Sequence, residues 1–372
     1  LVAIKAKQFH AASCILRLSA TTHSLLAMLT FYSDKHQQHH ASELKDGAIK
    51  PCFEMPSRAD TILARIQAAG LGPVMPPQDY ELARYSRVHS ARYIHFLQHA
   101  WDEWSALGHQ HHALPLIWPV RDLRSDIEPE HIDGKLGFYA MDAGVAITPG
   151  TWEAVRSSAD LALSGMDHLL AGAGSAFALC RPPGHHAAAE YMGGYCYLNN
   201  AAIAAQSCLD QGGKRVAILD VDFHHGNGTQ SIFYSRSDVL FSSLHGDPKR
   251  SYPYFLGHRD EKGAGQGLGF NHNYPLPHGT DWSAYASALA HTCQTIQAYQ
   301  PDALVVSLGV DTFKEDPISH FLLESEDFLR MGEAIAGLGK PTLFVMEGGY
   351  MLDEIGINAV NVLQGFLGKN PS

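Results

Sequence analysis

Cysteine is scarce in this chain: six residues in 372, at positions 14, 52, 180, 196, 208 and 293, with no Cys-x-x-Cys pair among them. That excludes a disulfide scaffold and a cysteine-rich zinc module, and it fits a reducing compartment. Charge is sparse as well. Charged residues make up 17 % of the chain, and 27 Lys and Arg face 38 Asp and Glu, for a formal net charge of −11. A polyanion such as nucleic acid is therefore a poor partner, whereas cationic or neutral ligands stay open. No run approaches the roughly 18 uninterrupted apolar residues of a membrane span, so the sequence reads as that of a soluble protein. Repeats and Pro/Gly/Ser linkers are missing too, so a single domain is expected. What is there is a chain with 45 % hydrophobic residues, enough to bury a real core and too many for disorder.

Residues 1–27 stand apart, with Lys5, Lys7 and Arg17 but no acidic residue. They read as an added leader, and the domain is expected over 28–372. Met28-Leu-Thr-Phe-Tyr-Ser has the texture of a first buried strand. Segments 57–70 and 88–107 predict helices, the first closed by Gly70. Between His109 and Pro149 the sequence is irregular, which suggests an active-site rim or an interface loop rather than filler. From 151 the pattern is regular. Helices are predicted over 151–172, 199–211 and 324–337, and buried strands at Ser175–Cys180, Lys214–Asp222, Val239–Leu244, Ala303–Leu308 and Pro341–Met346. Near-continuous apolar strands alternating with helices imply a parallel sheet covered on both faces. Such sheets place their chemistry beyond the carboxyl ends of the strands.

Those ends carry the informative residues. Asp220-Val-Asp222-Phe-His224-His225-Gly226-Asn227-Gly228-Thr229 follows one strand. Residues two apart at a strand end can point the same way, so Asp222 and His224 can offer an oxygen and a nitrogen to one cation. Alone, the motif serves equally as a helix cap at Asp222 and a hydrogen-bonded core histidine at His224. Ser307-Leu-Gly309-Val-Asp311 ends another strand with an acid, and two carboxylates with one imidazole leave coordination positions open. Arg181-Pro-Pro-Gly184-His185-His186 brings two histidines that can reach a water at such a cation without ligating it. Each ring needs a partner to fix its tautomer, and Asp220 and Asn227 are available. The ring held by Asp220 should stay charged more readily than the one held by an amide. Met346-Glu-Gly348-Gly349-Tyr350 can turn tightly and deliver a phenol to a carbonyl, although a structural tyrosine fits that motif as well. Together these elements supply what metal-assisted acyl hydrolysis requires. Three other signals are set aside: His36, His39 and His40 as solvated loop residues, Gly263, Gly265, Gly267 and Gly269 as a flexible active-site rim rather than a phosphate loop, and Cys196 as packing.

The blocks Arg181–His186, Gly194–Asn200, Asp220–Thr229, Leu308–Pro317 and Glu347–Tyr350 resemble, in order and over residues 28–368, the signature blocks of the histone deacetylase superfamily. Ser-Leu-His-Gly-Asp-Pro at 243–248, Ile-Thr-Pro-Gly-Thr-Trp at 147–152 and Asp-Pro-Ile-Ser at 316–319 resemble its bacterial acetylpolyamine amidohydrolase branch. The resemblance implies a three-layer arginase/deacetylase-like α/β fold with a central eight-stranded parallel sheet. It implies one Zn²⁺ per subunit on Asp222, His224 and Asp311, with Fe²⁺ or Co²⁺ as substitutes. By the same match His186 is the general base and later the acid, His185 with Asp220 is an electrostatic catalyst, Asn227 orients His186, and Tyr350 polarises the acetyl carbonyl. Structural K⁺ would sit at Asp220, Asp222, His224, Ser243 and Leu244, with a second site near Phe233, Arg236 and Val239. Tyr195 and Tyr252 would wall a substrate tunnel beside Gly194. The segment 109–149 would restrict its mouth, support a homodimer and supply carboxylates for a distal ammonium. Asp133 matches one such carboxylate, and a second falls at Gly144, which points to short diamines rather than long polyamines. The expected substrates are small cationic acetylated amines in a bacterial cytoplasm, with neither nucleic acid nor membrane as partner. Acetyl-lysine deacetylation, a non-catalytic sensor and a binuclear arginase-like hydrolase are the competing readings.

Overall fold

The sheet at the centre is built from segments that are apolar on both sides. The computed structural model describes residues 27–368, so the expected leader lies outside the described residues except for Ala27. The chain enters through β1 (Leu29–Phe31), a two-stranded antiparallel hairpin of β2 (Ser42–Lys45) and β3 (Ala48–Pro51), α1 (Ser57–Ala68) and a two-residue β4 (Val74–Met75). It continues through α2 (Leu82–Tyr85), α3 (Ala91–Ala106), α4 (Ile132–Phe138) and α5 (Thr151–Leu170). Then strands and helices alternate: β5 (Ser175–Ala178), α6 (Asn200–Asp210), β6 (Val216–Asp220), α7 (Asn227–Phe233), β7 (Val239–Gly246) and β8 (Asn271–Leu276). The last part is α8 (Trp282–Tyr299), β9 (Ala303–Leu308), α9 (Ser325–Ala336), β10 (Thr342–Met346) and α10 (Leu352–Leu367).

Eight strands pair in the order β4-β1-β5-β10-β9-β6-β7-β8, and every pairing is parallel, as expected from the apolar runs. Successive side chains of β6 face opposite layers. Ala217 and Leu219 pack with α1, α8, α9 and α10, through Ile62, Leu289, Met331 and Leu363 among others. Val216 and Ile218 pack with α5, α6 and α7, through Met166, Ala204 and Phe233. That alternation is the strand period of two expressed as a three-layer structure. Helix ends follow their side chains: Ser90, Asn199 and Asp281 each accept a hydrogen bond from a backbone N–H in the first turn of α3, α6 and α8. Glu324 and Asp327 form a reciprocal capping box at α9.

The segment 109–149 departs from the irregular stretch expected of it. It contains α4 and an antiparallel bridge between Ala113 and Ile147. Ile132, Leu136, Tyr139, Val145 and Ile147 join Tyr93, Phe96 and Trp104 of α3 in a third apolar cluster. His36 and His39 also differ from expectation. Both are buried, with Tyr32 and Thr151 hydroxyls at 3.0 Å from their rings, and burial lowers their pKa values to about 4 and about 3.

Candidate active site

Four adjacent strands, β5, β10, β9 and β6, carry the candidate site residues at their carboxyl ends. β5 runs into Gly184-His185-His186, β6 into Asp222 and His224, β9 into Asp311 and β10 into Tyr350. Neighbouring parallel strands lie about 4.8 Å apart, so positions 165 residues distant in sequence become neighbours. Glu347 ties two of these ends together. Its Oε2 accepts the backbone N–H of Gly184 at 2.6 Å and of His185 at 3.1 Å.

Asp222, His224 and Asp311 converge, buried, with one ligand atom from each lying within 4.8 Å of the others. His224 Nδ1 is 2.9 Å from Asp311 Oδ2 and 3.3 Å from Asp222 Oδ1. The remaining oxygens are held: Phe223 N–H donates to Asp311 Oδ1 at 2.7 Å, and Gly348 N–H donates to Asp222 Oδ2 at 2.8 Å. The backbone is close enough that a Cβ on Gly309 would stand 2.1 Å from Asp222 Oδ2, and one on Gly348 would stand 2.7 Å from Asp311 Oδ2. Burial disfavours charge on His224, but hydrogen bonds and charge from the two carboxylates override it and raise its pKa to about 10. A proton then occupies what a divalent cation would neutralise. Burial and the neighbouring Asp222 push Asp311 up to about 7. Two carboxylates and one imidazole on a rigid backbone fit a metal ion and leave positions for water and substrate.

The two histidines differ in what holds them. His185 Nδ1 donates to Asp220 Oδ2 at 3.0 Å, and the Asp220 and Asp222 charges outweigh burial to raise His185 to about 10. His186 Nδ1 is 2.6 Å from Asn227 Oδ1, while Asn227 Nδ2 donates to the His186 carbonyl. With the amide so oriented, Nδ1 carries the hydrogen and Nε2 keeps a lone pair. Burial and the charges of His185 and His224 hold His186 well below the ordinary histidine range. The pair therefore offers one imidazolium and one neutral base, with ring centroids 4.0 Å apart.

Tyr350 is fixed without use of its hydroxyl. Its N–H donates to Asp316 Oδ2 at 2.7 Å, the Arg58 guanidinium lies 4.8 Å from its ring centroid, and the Tyr195 ring lies 5.9 Å away. Arg58 also donates to the carbonyls of Gly349 and Glu347, both at 2.6 Å, and to Glu54 Oε1 at 2.8 Å. Glu54 Oε1 also forms an ion pair with Arg181 Nε at 2.9 Å. A cavity of about 450 Å³ leads from solvent to His186, His224 and Tyr350 between Tyr195 and Tyr252. Gly194 is required there: its φ is +51°, and a Cβ would meet His186 Cδ2 at 2.4 Å and the Tyr252 hydroxyl at 2.9 Å.

Residues 52–366 match the histone deacetylase domain family. This chain belongs to the histone deacetylase family. As a member it is a deacetylase, an enzyme that hydrolyses acyl amides. It is 63 % identical over 342 residues to acetylpolyamine amidohydrolase 2 of Pseudomonas aeruginosa, covering 92 % of this chain and 99 % of that one. It is 50 % identical over 342 residues to the acetylpolyamine amidohydrolase of Mycoplana ramosa, covering 92 % and 100 %. Among solved structures, the acetylpolyamine aminohydrolase of Burkholderia pseudomallei superposes with a TM-score of 0.87 at 39 % identity, over 91 % of this chain and 98 % of that one.

Within this deacetylase, the expected residues do not all meet. Asp222, His224, Asp311, His185, His186, Asp220, Asn227, Tyr350, Tyr195, Tyr252 and Gly194 gather at one end of the sheet. Asp133 does not: it sits on α4 with its side chain 63 % exposed, 3.5 Å from His131, and it is not among the residues that line the cavity. Gly144 does line the cavity, next to an acid the sequence reading passed over, Asp142. Asp142 accepts from the Tyr252 hydroxyl and, at 2.9 Å, from Gly194 N–H. Glu43 was also missed, because a lone acid in a short polar strand carries no local signal. Asp220 and Ser243 are register partners across β6 and β7, with Leu244 beside them and all three buried. The glycine series is not an active-site rim. A Cβ on Gly267 would stand 2.4 Å from the Tyr234 carbonyl, and Gly263 packs on Gly267, so these glycines close against the end of α7. His185, Cys196 and Glu347 form a second buried convergence. There His185 is committed to Asp220, Glu347 to two N–H groups, and burial holds the Cys196 thiol far above its usual range, so hydrogen-bonded packing accounts for it.

Proposed function

We propose that this deacetylase removes acetyl groups from small cationic acetylated amines of the polyamine and diamine class, releasing acetate and the free amine. The observation that carries the proposal is the pairing of a neutral His186 and a charged His185 beside the Asp222, His224 and Asp311 cluster, at the floor of a narrow cavity with acidic residues in its wall. The names of the relatives, acetylpolyamine amidohydrolases at 50–63 % identity, support the substrate class.

In this reading His186 Nε2 removes the proton of the attacking water and returns it to the departing amine nitrogen, so one imidazole is base and then acid. Asn227 keeps the tautomer correct throughout. His185, held charged by Asp220, stabilises negative charge that develops nearby without giving up its proton. The Tyr350 hydroxyl donates to the oxygen of the substrate carbonyl as it becomes an oxyanion. A zinc ion on Asp222, His224 and Asp311, or Fe²⁺ or Co²⁺ on the same donors, would supply Lewis acidity at the carbonyl and the water. Tyr195 and Tyr252 exclude water from the alkyl chain of the amine. Structural K⁺ at Asp220, Asp222, His224, Ser243 and Leu244, with a second ion near Phe233, Arg236 and Val239, is part of the proposal. So is a homodimer through the segment 109–149, supported by Leu116, Ile117, Val120, Leu123 and Ile127, which are 56–74 % exposed. Among the described residues no helix is long and apolar enough to cross a membrane, and a bacterial cytoplasm is the proposed setting.

The test is a comparison of kcat/KM for acetate release from N-acetylputrescine, N-acetylcadaverine, N8-acetylspermidine and an acetyl-lysine peptide, using zinc-loaded protein with a chelated control. Preference for the small amines is expected. A peptide that matches or exceeds them overturns the substrate class.

A further inference from the structure

Two carboxylates stand in the cavity wall, and they differ in what they have left to give. Asp142 is spent. Its Oδ2 takes the Tyr252 hydroxyl and Gly194 N–H, and its Oδ1 takes Gly144 N–H at 2.8 Å. Glu43, on β2, is not. It is only 8 % exposed, its Oε2 accepts the Tyr195 hydroxyl at 2.8 Å, and its Oε1 is buried without a partner. A buried carboxylate oxygen without a donor is an unfavourable arrangement that native proteins retain for a reason. A bound ammonium relieves it with a charge-assisted hydrogen bond. The last torsion of a glutamate is soft, so the carboxylate can turn, carrying both oxygens, and bring one of them to the cavity. Two cations line the same cavity and are more exposed than Glu43, the partly exposed Lys45 and the exposed Arg250. Lys45 is fixed over the Phe53 ring at 4.2 Å.

We infer that Glu43 selects substrate charge: its unpaired oxygen receives the single ammonium of a short acetylated diamine, while Lys45 and Arg250 repel a second ammonium placed farther out. The inference rests on the amide hydrolysis proposed above and adds the residue that reads the amine. Glu43 is a specificity residue in this scheme, removed from the reacting atoms, and the bond it shares with Tyr195 couples recognition to the tunnel wall.

The experiment compares N-acetylputrescine with N-butylacetamide, which has the same chain length and no charge, in wild type and Glu43→Gln. Glutamine keeps an acceptor for Tyr195 and removes only the charge. The ratio of kcat/KM for the charged over the neutral amide should fall at least about tenfold, mainly through KM. Lys45→Gln, a change at a partly exposed position, should narrow the preference for N-acetylputrescine over N8-acetylspermidine. If Glu43→Gln lowers both amides equally, Glu43 merely supports Tyr195 and the inference is overturned. If Lys45→Gln leaves the preference between one and two ammonium groups untouched, the repulsive half is overturned. Wild type that releases acetate from neither amide removes the hydrolysis reading itself, and this inference with it. Wild type that prefers the charged amide while Glu43→Gln keeps that preference removes only the assignment to Glu43.

Discussion

Tyr350→Phe isolates one oxygen atom. The ring of Tyr350 is held by Arg58 at 4.8 Å and faces Tyr195 at 5.9 Å, and its N–H is held by Asp316 at 2.7 Å. Arg58 separately pins the carbonyls on either side of Gly348. None of these contacts involves the hydroxyl, so phenylalanine should occupy the same place, with folding stability changed by less than about 0.5 kcal/mol. The hydroxyl's contribution is then confined to the developing oxyanion. Removing one donor of that kind costs about 2.7–4 kcal/mol of transition-state stabilisation, which corresponds to a fall in kcat of about 10²–10³. KM should change much less, because the ground-state carbonyl is a weaker acceptor than the oxyanion. The assay is steady-state acetate release from N-acetylputrescine, read beside a thermal melt and the metal content per chain. A variant with unchanged melt and metal but kcat within about threefold of wild type would refute the role given to Tyr350.

Asn227→Asp should raise the pKa of His186, because a carboxylate replaces an amide 2.6 Å from Nδ1. His186 must be neutral to accept a proton, so the acid limb of the kcat/KM profile should move up by about 1–3 pH units; a profile that stays in place contradicts the pairing. Asp160 provides a test of stability away from the site. Burial raises its pKa to about 6 despite the hydrogen bond from the Tyr85 hydroxyl. The folded protein thus holds that proton more tightly than the unfolded chain, and the associated stability is complete below about pH 4 and lost as pH rises through about 6. Asp160→Asn removes the titration, so in urea unfolding it should gain on wild type between pH 4 and pH 7.5 by about 1–3 kcal/mol. A constant difference across that range would show that Asp160 is not held protonated.

The chain advertises its centre better than its edges. β6, β9 and β10 were legible because strands covered on both faces must be apolar throughout, and the acids that end them stand out against that background. Asp222, His224 and Asp311 and the two histidines were legible because each lies in a short motif at such an end. β8 was not, since Asn271-His-Asn273-Tyr-Pro-Leu is an edge strand whose asparagines point at Gln230 and Glu261 rather than into a core. β4 is two residues long and carries no period at all. Glu43 and Asp142 reach the cavity from a hairpin and a loop far from any motif, so only the folded arrangement reveals them. Asp133 shows the converse, a residue matched by its sequence neighbourhood but carried by α4 onto an exposed surface.

The strand order has a consequence for synthesis. Among the described strands β10, residues 342–346, is the last to leave the ribosome, yet it lies in the middle of the sheet between β5 and β9. Until it arrives, the nascent chain can hold only two separate half-sheets, β4-β1-β5 and β9-β6-β7-β8, each with an open, hydrogen-bonding border where β10 belongs. Such borders are templates for pairing with other chains. A messenger truncated shortly before the codon for Thr342 would therefore yield not a weakened enzyme but a species with two adhesive edges. The Asp222, His224 and Asp311 cluster would be made before the Tyr350 segment that follows β10.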